Sequence, residues 1–252
     1  MCTLVVLRRP GHDWPLVLGA NRDEMMDRPW KAPGRHWSDR PDVVAGLDEL
    51  AGGSWLGLNE HGVVAAILNR FGTLGPAPGQ RSRGELVLEA LDHADARDAA
   101  AALAAIDPRA YRPFNMIIAD NRDAFWLRHA DASGRLPPQA QALGAGLAMI
   151  AAGDLDETET PRLRRYRPRF AAAPAPDPGS GDWARWEALL GDGEATAEEG
   201  ATAAMRFQTE RGFATVSSAL IALPATGRAG AKPVFRFRAW HPQAEPWHDV
   251  PR

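Results

Sequence analysis

The stretch MCTLVVLRRPGHDWPLVLGANRDE, residues 1–24, decides the fold of this chain. Residues 2–7 and 15–20 are apolar runs, and Pro10-Gly11-His12-Asp13 between them carries turn residues. Two apolar runs joined by such a turn predict a β-hairpin. Asn21-Arg22-Asp23 follows the second run, so facing strands would bring these polar residues close to Cys2.

Cys2 is the single cysteine among 252 residues, so no intramolecular disulfide and no multi-cysteine metal site can form. A lone cysteine is more often a core residue, but its position changes that expectation. Methionine aminopeptidase removes Met1 when the second residue is small. Cys2 would then carry both a thiol and a free α-amine, whose reference pKa values are about 8.5 and about 7.7–8.0. The amine can then take the thiol proton, so one residue supplies both nucleophile and base.

The rest of the chain alternates short strands and helices. Strands are predicted at 43–46, 54–58, 63–68, 114–119, 124–127, 146–152, 215–223 and 234–240. Helices are predicted at 94–106, 161–173 and 183–190, and another from a Ser82 cap through Leu91, with the arginines of 161–173 in solvent. Strands at both ends that enclose helices indicate a layered α+β sandwich in one domain, residues 1–252.

Composition excludes several classes of partner. The net charge is −3, so the chain lacks the positive field that binding a phosphate backbone requires, and nucleic acid is not expected as a partner. No run approaches eighteen apolar residues, and no charged region precedes an apolar N-terminal stretch. The sequence therefore predicts a cytosolic protein without a transmembrane segment. Its oligomeric state is left open.

Several segments together resemble the NRDE family, which includes the transport and Golgi organisation protein 2 homologues. The matching segments, in order, are MCTL (1–4), ANRDE (20–24), RP (28–29), AGLD (45–48), GGSWLG (52–57) and GVVAAILN (62–69). FNMIIAD (114–120) is similar to a later segment of that family. The resemblance implies a four-layer αββα sandwich of antiparallel sheets, the fold of N-terminal-nucleophile hydrolases, with choloylglycine and penicillin V acylases as enzymatic relatives.

The same resemblance implies roles for individual residues. Cys2 matches the nucleophile, and Asn21 and Asp23 match polar positions around the nucleophile and its amine. Asn69, which ends a strand, matches the amide of the oxyanion hole. Arg22 alternates to the other side of an extended strand, so it either organises structure or binds a substrate carboxylate. Asn115, in the later matching segment, is assigned to substrate binding.

Two positions depart from the family pattern. Ala20 stands where the acylases have an arginine before their asparagine, and Val216 stands where an arginine is usual in a Gly-Thr-Arg-Ser-Ser motif. One charge of the acylase site is therefore absent, and a substrate-binding cation is missing or relocated.

The leading functional prediction is a cysteine-dependent amidohydrolase that cleaves a non-peptide carbon–nitrogen bond through a Cys2 thioester. The alternative is a non-enzymatic carrier of a small molecule on the same fold, since family resemblance also connects such chains with haem trafficking. The seven histidines lack metal-ligand spacing, so neither a metal nor a cofactor is expected. Ser54, in Gly52-Gly53-Ser54-Trp55, lacks the second flanking glycine of a nucleophile elbow and is expected to be inert.

Overall fold

A computed structural model describes residues 2–196, 198–228 and 230–251. The strands are β1 (Thr3–Arg8), β2 (Leu16–Met25), β3 (Trp30–Gly34), β4 (Val43–Asp48), β5 (Leu56–Asn59), β6 (Val64–Asn69), β7 (Phe114–Ala119), β8 (Ala124–His129), β9 (Gln139–Ala142), β10 (Gly146–Ile150), β11 (Phe213–Leu223), β12 (Val234–Ala239) and β13 (His248–Asp249). The helices are α1 (Gly84–Leu91), α2 (Ala96–Ala104), α3 (Pro161–Ala172) and α4 (Ala184–Leu190). The chain is thus an α+β protein, as predicted.

Contacts divide the chain into two compact units, each built on one antiparallel sheet. Unit 1 covers residues 2–28 and 145–249, and unit 2 covers residues 29–144 with 250 and 251. The sequence predicts a single domain over residues 1–252, and that the two units form this one domain stays a prediction.

Unit 1 contains a six-stranded sheet in the order β10-β1-β2-β11-β12-β13. The predicted hairpin forms its centre, with Thr3 opposite Asn21 and Arg8 opposite Leu16. Helices α3 and α4 cover one face, where alternate strand residues such as Val5, Val17 and Leu220 pack with Tyr166 and Trp186. Odd-numbered side chains of β1 and β2 therefore lie on the helix-covered face of the sheet, and even-numbered ones lie on the opposite face.

A β-bulge interrupts the pairing of β2 with β11. Asp23 pairs with Thr215 and Arg22 with Ser217, so Val216 is the extra residue. The carbonyl oxygen of Val216 accepts hydrogen bonds from the backbone N–H groups of Trp240, at 2.8 Å, and His241, at 3.3 Å. These bonds join the bulge, near the start of β11, to the segment after β12.

Unit 2 contains a seven-stranded meander in the order β3-β4-β5-β6-β7-β8-β9, with α1 and α2 packed on one face. Gly53 follows β4 where the chain touches the start of α1. A Cβ at Gly53 would lie 2.5 Å from the carbonyl carbon of Gly84, so only glycine fits there. Ser54 is buried, and its hydroxyl donates to the carbonyl oxygen of Leu56 at 3.1 Å. Gly53 therefore serves close packing, whereas Gly52 has a φ of +72° in the turn before it.

Most predicted elements are present, and the differences are local. Strands β3, β9 and β13 were not predicted. Helix α1 begins at Gly84, after an Arg83 N-cap that makes no side-chain capping bond. Ser82 Oγ accepts from the backbone N–H of Gly84 at 3.3 Å, so the predicted bond from Ser82 to the helix start is present, one residue before the N-cap position. The expectation of solvated arginines in α3 is wrong for Arg162, which is fully buried.

Among the residues that the structure describes, no helix is long and apolar enough to cross a membrane. The same residues contain no group of three or more histidine, cysteine or acidic side chains arranged to hold a metal ion.

Candidate functional site

The thiol of Cys2 rests on the main chain of Asp23. Cys2 is half-buried and precedes β1. The backbone N–H of Asp23 donates to its Sγ at 3.4 Å, and the carbonyl oxygen of Asp23 lies 3.6 Å from the same atom. The predicted proximity of Cys2 to the Asn-Arg-Asp segment is therefore present, through backbone atoms.

The carboxylate of Asp23 lies on the helix-covered face of the sheet in a fully buried ion pair. Arg162 Nη1 donates to Asp23 Oδ2 at 2.7 Å and to Thr3 Oγ1 at 2.9 Å. Thr215 Oγ1 donates to Asp23 Oδ1 at 2.8 Å. Neither Arg162 nor Asp23 has any exposed side-chain surface. These bonds join the first turn of α3 to strands β1, β2 and β11 directly beside Cys2.

Asn21 anchors the same face to the helical layer. Its Nδ2 donates to the carbonyl oxygens of Leu190 at 2.9 Å and Met205 at 2.8 Å. Its Oδ1 accepts from Ser218 Oγ at 2.6 Å, and Trp240 Nε1 donates to that hydroxyl oxygen at 2.8 Å. The carboxamide of Asn21 therefore joins β2 to the end of α4 and to the Met205 segment through Nδ2, and to β11 of the same sheet through Oδ1.

Arg22 lies on the opposite face from Asn21 and Asp23, as alternation predicts. Because Thr3 is opposite Asn21, Cys2 is beside Arg22 on that opposite face. Arg22 is only 5% exposed, and its Nη2 lies 3.9 Å from Glu24 Oε2. A buried arginine is thus the charged neighbour of Cys2 on its own face.

Burial raises the pKa of the Cys2 thiol, and the negative charge of Asp23 raises it further. The nearby positive charge of Arg22 and the hydrogen bond from the backbone of Asp23 act in the opposite direction but do not outweigh them. The thiol is therefore protonated near neutral pH. Chemistry at this sulfur requires a base that removes its proton.

Two further predicted site residues lie in unit 2. Asn69 ends β6, is half-buried, and makes no side-chain hydrogen bond within the described part of the chain. Asn115 is fully buried on the neighbouring β7. Its Oδ1 accepts from Arg70 Nη1 at 2.6 Å and Trp126 Nε1 at 3.2 Å. Asn69 thus has an uncommitted amide, while the amide oxygen of Asn115 is already engaged.

Sequence reasoning missed Arg162, the residue that neutralises Asp23. Helix α3 carries five arginines, but Arg162 lies four residues before Tyr166 and eight before Phe170, so helical spacing places it on the buried face. Pro161 at the first helical position was a second signal, since it fixes the helix start and places Arg162 in the first turn. The hydrogen bond from Thr215 to Asp23 depends on the β-bulge, and no local sequence pattern predicts that bulge.

The Transport and Golgi organisation 2 family model matches residues 1–178 of this chain. That range includes the hairpin, Asn69, Asn115 and Arg162. The chain belongs to the Transport and Golgi organisation 2 family. This confirms the resemblance read from the NRDE segments.

Named relatives align over part of their length. The mouse homologue of Transport and Golgi organization 2 is 42% identical over 77 residues, which cover 29% of this chain and 26% of the mouse protein. The bovine homologue is 37% identical over 112 residues, covering 42% of this chain and 38% of the bovine protein. The chain thus aligns with well under half the length of these relatives.

Solved structures share the fold at low sequence identity. A Caenorhabditis elegans orthologue of N-acylethanolamine-hydrolyzing acid amidase superposes with a TM-score of 0.56 at 11% identity, covering 87% of this chain and 92% of that protein. A variant of the conjugated bile acid hydrolase of Clostridium perfringens superposes with a TM-score of 0.53 at 12% identity, covering 98% and 92%. These likenesses establish the N-terminal-nucleophile hydrolase fold for the family member described here.

Proposed function

We propose that this protein is an amidohydrolase that cleaves a non-peptide carbon–nitrogen bond with Cys2 as its N-terminal nucleophile. The observation that carries the proposal is the position of the Cys2 thiol, held at the start of β1 by the backbone of Asp23 beside a buried ion pair. The solved structures of this fold include proteins whose names describe hydrolysis of N-acylethanolamines and of conjugated bile acids, and this favours a small amide as substrate.

Removal of Met1 begins the proposed mechanism because it frees the α-amine of Cys2. The neutral amine accepts the thiol proton, and the sulfur attacks the amide carbonyl carbon. The tetrahedral intermediate collapses as the carbon–nitrogen bond breaks, and the leaving nitrogen takes the proton from the ammonium group. Water then attacks the thioester, releases the carboxylic acid and returns the proton to sulfur. The protonated thiol of the folded chain is the reason that this base is needed.

The remaining residues have supporting roles in this proposal. Arg162 and Thr215 hold Asp23 in place, so the main-chain atoms that contact the thiol are fixed. Asn69 is the proposed donor to the oxyanion, a role that family resemblance gives it and that its uncommitted amide permits. Arg22 and Asn115 are proposed to assist substrate binding. The proposal places this activity in the cytosol.

Turnover of a panel of N-acyl amides by the wild type and by Cys2→Ala tests the proposal. We expect amine release by the wild type, none by Cys2→Ala, and nearly equal unfolding free energies, because one small side chain is lost. The intact mass should show Met1 removed and, with a slow substrate, one acyl group added to the chain. A chain with an N-terminal extension that blocks the α-amine is the matched control and should be inactive. Equal turnover by Cys2→Ala would remove the catalytic proposal.

A carrier of a small molecule, such as haem, is the second candidate function. The alanine and valine at positions 20 and 216, where the acylases have arginines, are the observation behind this candidate, since a carrier needs neither cation. A carrier needs no free α-amine, so the blocked chain should bind the ligand as tightly as the processed chain. Titration of both with haem, followed by absorbance, separates the two functions.

A further inference from the structure

Unit 1 contains a cavity that Cys2 does not line, although Thr215, which donates to Asp23, lies in its wall. Its volume is about 280 Å³, near the lower limit for small-ligand pockets. Its walls combine apolar and polar side chains, namely Phe207, Trp240 and Ala244 with Arg206, Gln208 and His241. A site of this composition suits a small molecule that has one apolar part and one polar group.

Two guanidinium groups lie over the ring of Trp240, which lines the cavity. The Cζ atom of Arg206 is 4.9 Å from the ring centroid, and that of Arg238 is 3.8 Å from it. Stacking holds a guanidinium in place through its flat face and leaves its edge N–H groups available to an oxyanion. Trp240 is itself fixed, because its Nε1 donates to Ser218.

Three acidic side chains of this region are already paired with other arginines. Glu187 contacts Arg236, and Asp192 contacts Arg169 at 3.0 Å. Glu194 contacts Arg165 at 3.6 Å.

Neither Arg206 nor Arg238 has a carboxylate partner within the described ranges. Arg206 Nε donates only to the carbonyl oxygen of Gly191, at 3.2 Å, and Arg238 Nε is buried without a hydrogen-bond partner among these residues. Burial, with the positive charge of Arg206, lowers the pKa of Arg238. The cavity therefore lies beside Arg206, which has no carboxylate partner among the described residues, and near Arg238, whose charge Glu187 offsets in part without forming an ion pair with it.

We infer that this cavity binds a small organic carboxylate, whose anionic group contacts Arg206 and whose apolar body packs against Phe207 and Trp240. The guanidinium edge of Arg206 matches a carboxylate in a bidentate geometry. The apolar walls favour a carboxylate with a hydrocarbon body over an inorganic anion, which would leave those walls in contact with water.

Calorimetric titration of the full chain with benzoate, benzamide and inorganic phosphate tests this inference. Benzoate should bind, and benzamide, which has the same shape without the charge, should bind at least about tenfold more weakly, because hydrogen bonds to charged groups are the stronger ones. Phosphate should also bind at least about tenfold more weakly than benzoate, because it cannot occupy the apolar wall.

Arg206→Gln should reduce benzoate affinity at least about tenfold. Arg211→Gln is the matched control, since it removes the same charge from an exposed residue that does not line the cavity, and it should bind benzoate like the wild type. Unchanged affinity in Arg206→Gln, equal binding of benzamide, or tighter binding of phosphate would each overturn the inference. Activity at Cys2 does not enter these measurements, so failure of the proposed hydrolase function would leave them unaffected.

Discussion

At the scale of single residues, Cys2 is governed by two opposing influences. Burial and the charge of Asp23 favour the neutral thiol, while the backbone N–H of Asp23 favours a negative sulfur. The first two dominate, so the folded chain holds the thiol proton to higher pH than an unfolded chain does. In the proposed mechanism, a free α-amine on Cys2 would accept the proton that the folded chain otherwise keeps on the thiol.

The pH dependence of Cys2 alkylation checks this electrostatic balance. In a chain that retains Met1, the rate of alkylation by iodoacetamide should rise with pH. The pH at the midpoint of this rise should be higher for the folded chain than for the urea-unfolded chain, in which an ordinary thiol has a midpoint near pH 8.5. Asp23→Asn should move the midpoint down, because it removes a negative charge that disfavours the thiolate. The single cysteine makes Cys2 the only labelled thiol. A folded midpoint at or below the unfolded one would contradict the assignment.

At the scale of elements, the contact between α3 and the strands of unit 1 depends on one charged residue. Arg162 links the first turn of α3 to Thr3 on β1 and Asp23 on β2, and it stacks 5.1 Å from the centroid of the Phe207 ring. A buried ion pair adds little net stability compared with apolar packing, but removing one partner leaves the other charge buried alone. Arg162 is therefore a positioning residue for the strand end that carries Cys2.

Arg162→Leu should lower the free energy of unfolding by about 3–5 kcal/mol, because it leaves the Asp23 carboxylate buried without its partner. Urea denaturation at neutral pH measures this loss. Arg164→Leu, on an exposed position of the same helix, is the control and should change stability by at most about 0.5 kcal/mol. A pairing role predicts that Arg162→Leu combined with Asp23→Leu is more stable than Arg162→Leu alone. Equal losses in Arg162→Leu and Arg164→Leu would show that the pair does not hold α3.

Elements with strong local signals could be predicted from the sequence. The hairpin of β1 and β2 and the turn after β7 follow from apolar runs and turn residues, and Asp120 accepts from the N–H groups of Arg122 and Asp123 as such a turn requires. Strand β9 could not be predicted because its four residues, Gln139–Ala142, are all exposed and its apolar positions are alanines, which have low β-propensity.

The candidate site likewise contains residues that the sequence identifies and one that it does not. Cys2, Asn21 and Asp23 are recognisable from position and family resemblance. Arg162 reaches them over 139 residues of sequence, so no local pattern could have joined it to Asp23.

At the scale of the whole molecule, the family resemblance covers both units. Its strongest segments run through the hairpin of unit 1 and through β4, β5 and β6 of unit 2. Asn59 and Asn69 end two neighbouring strands of that second group and differ in what their amides do. Asn59 is buried, donates to the carbonyl oxygens of Leu91 and His93, and accepts from Val63 N–H, whereas the amide of Asn69 has no such bonds with described residues.

This contrast gives a matched test of the oxyanion role proposed for Asn69. With an amide substrate in hand, Asn69→Ala should lower kcat about 10²–10³-fold with a smaller change in KM, because an oxyanion donor binds charge that develops in the transition state. Its Tm should stay near that of the wild type, since the structure gives the side chain no internal hydrogen bond to lose. Asn59→Ala should behave oppositely, with a lower Tm from unsatisfied buried groups and a kcat close to wild type in the folded protein. Single-turnover acylation rates beside thermal melts separate the two variants. Normal acylation by a stable Asn69→Ala protein would mean that another group stabilises the oxyanion.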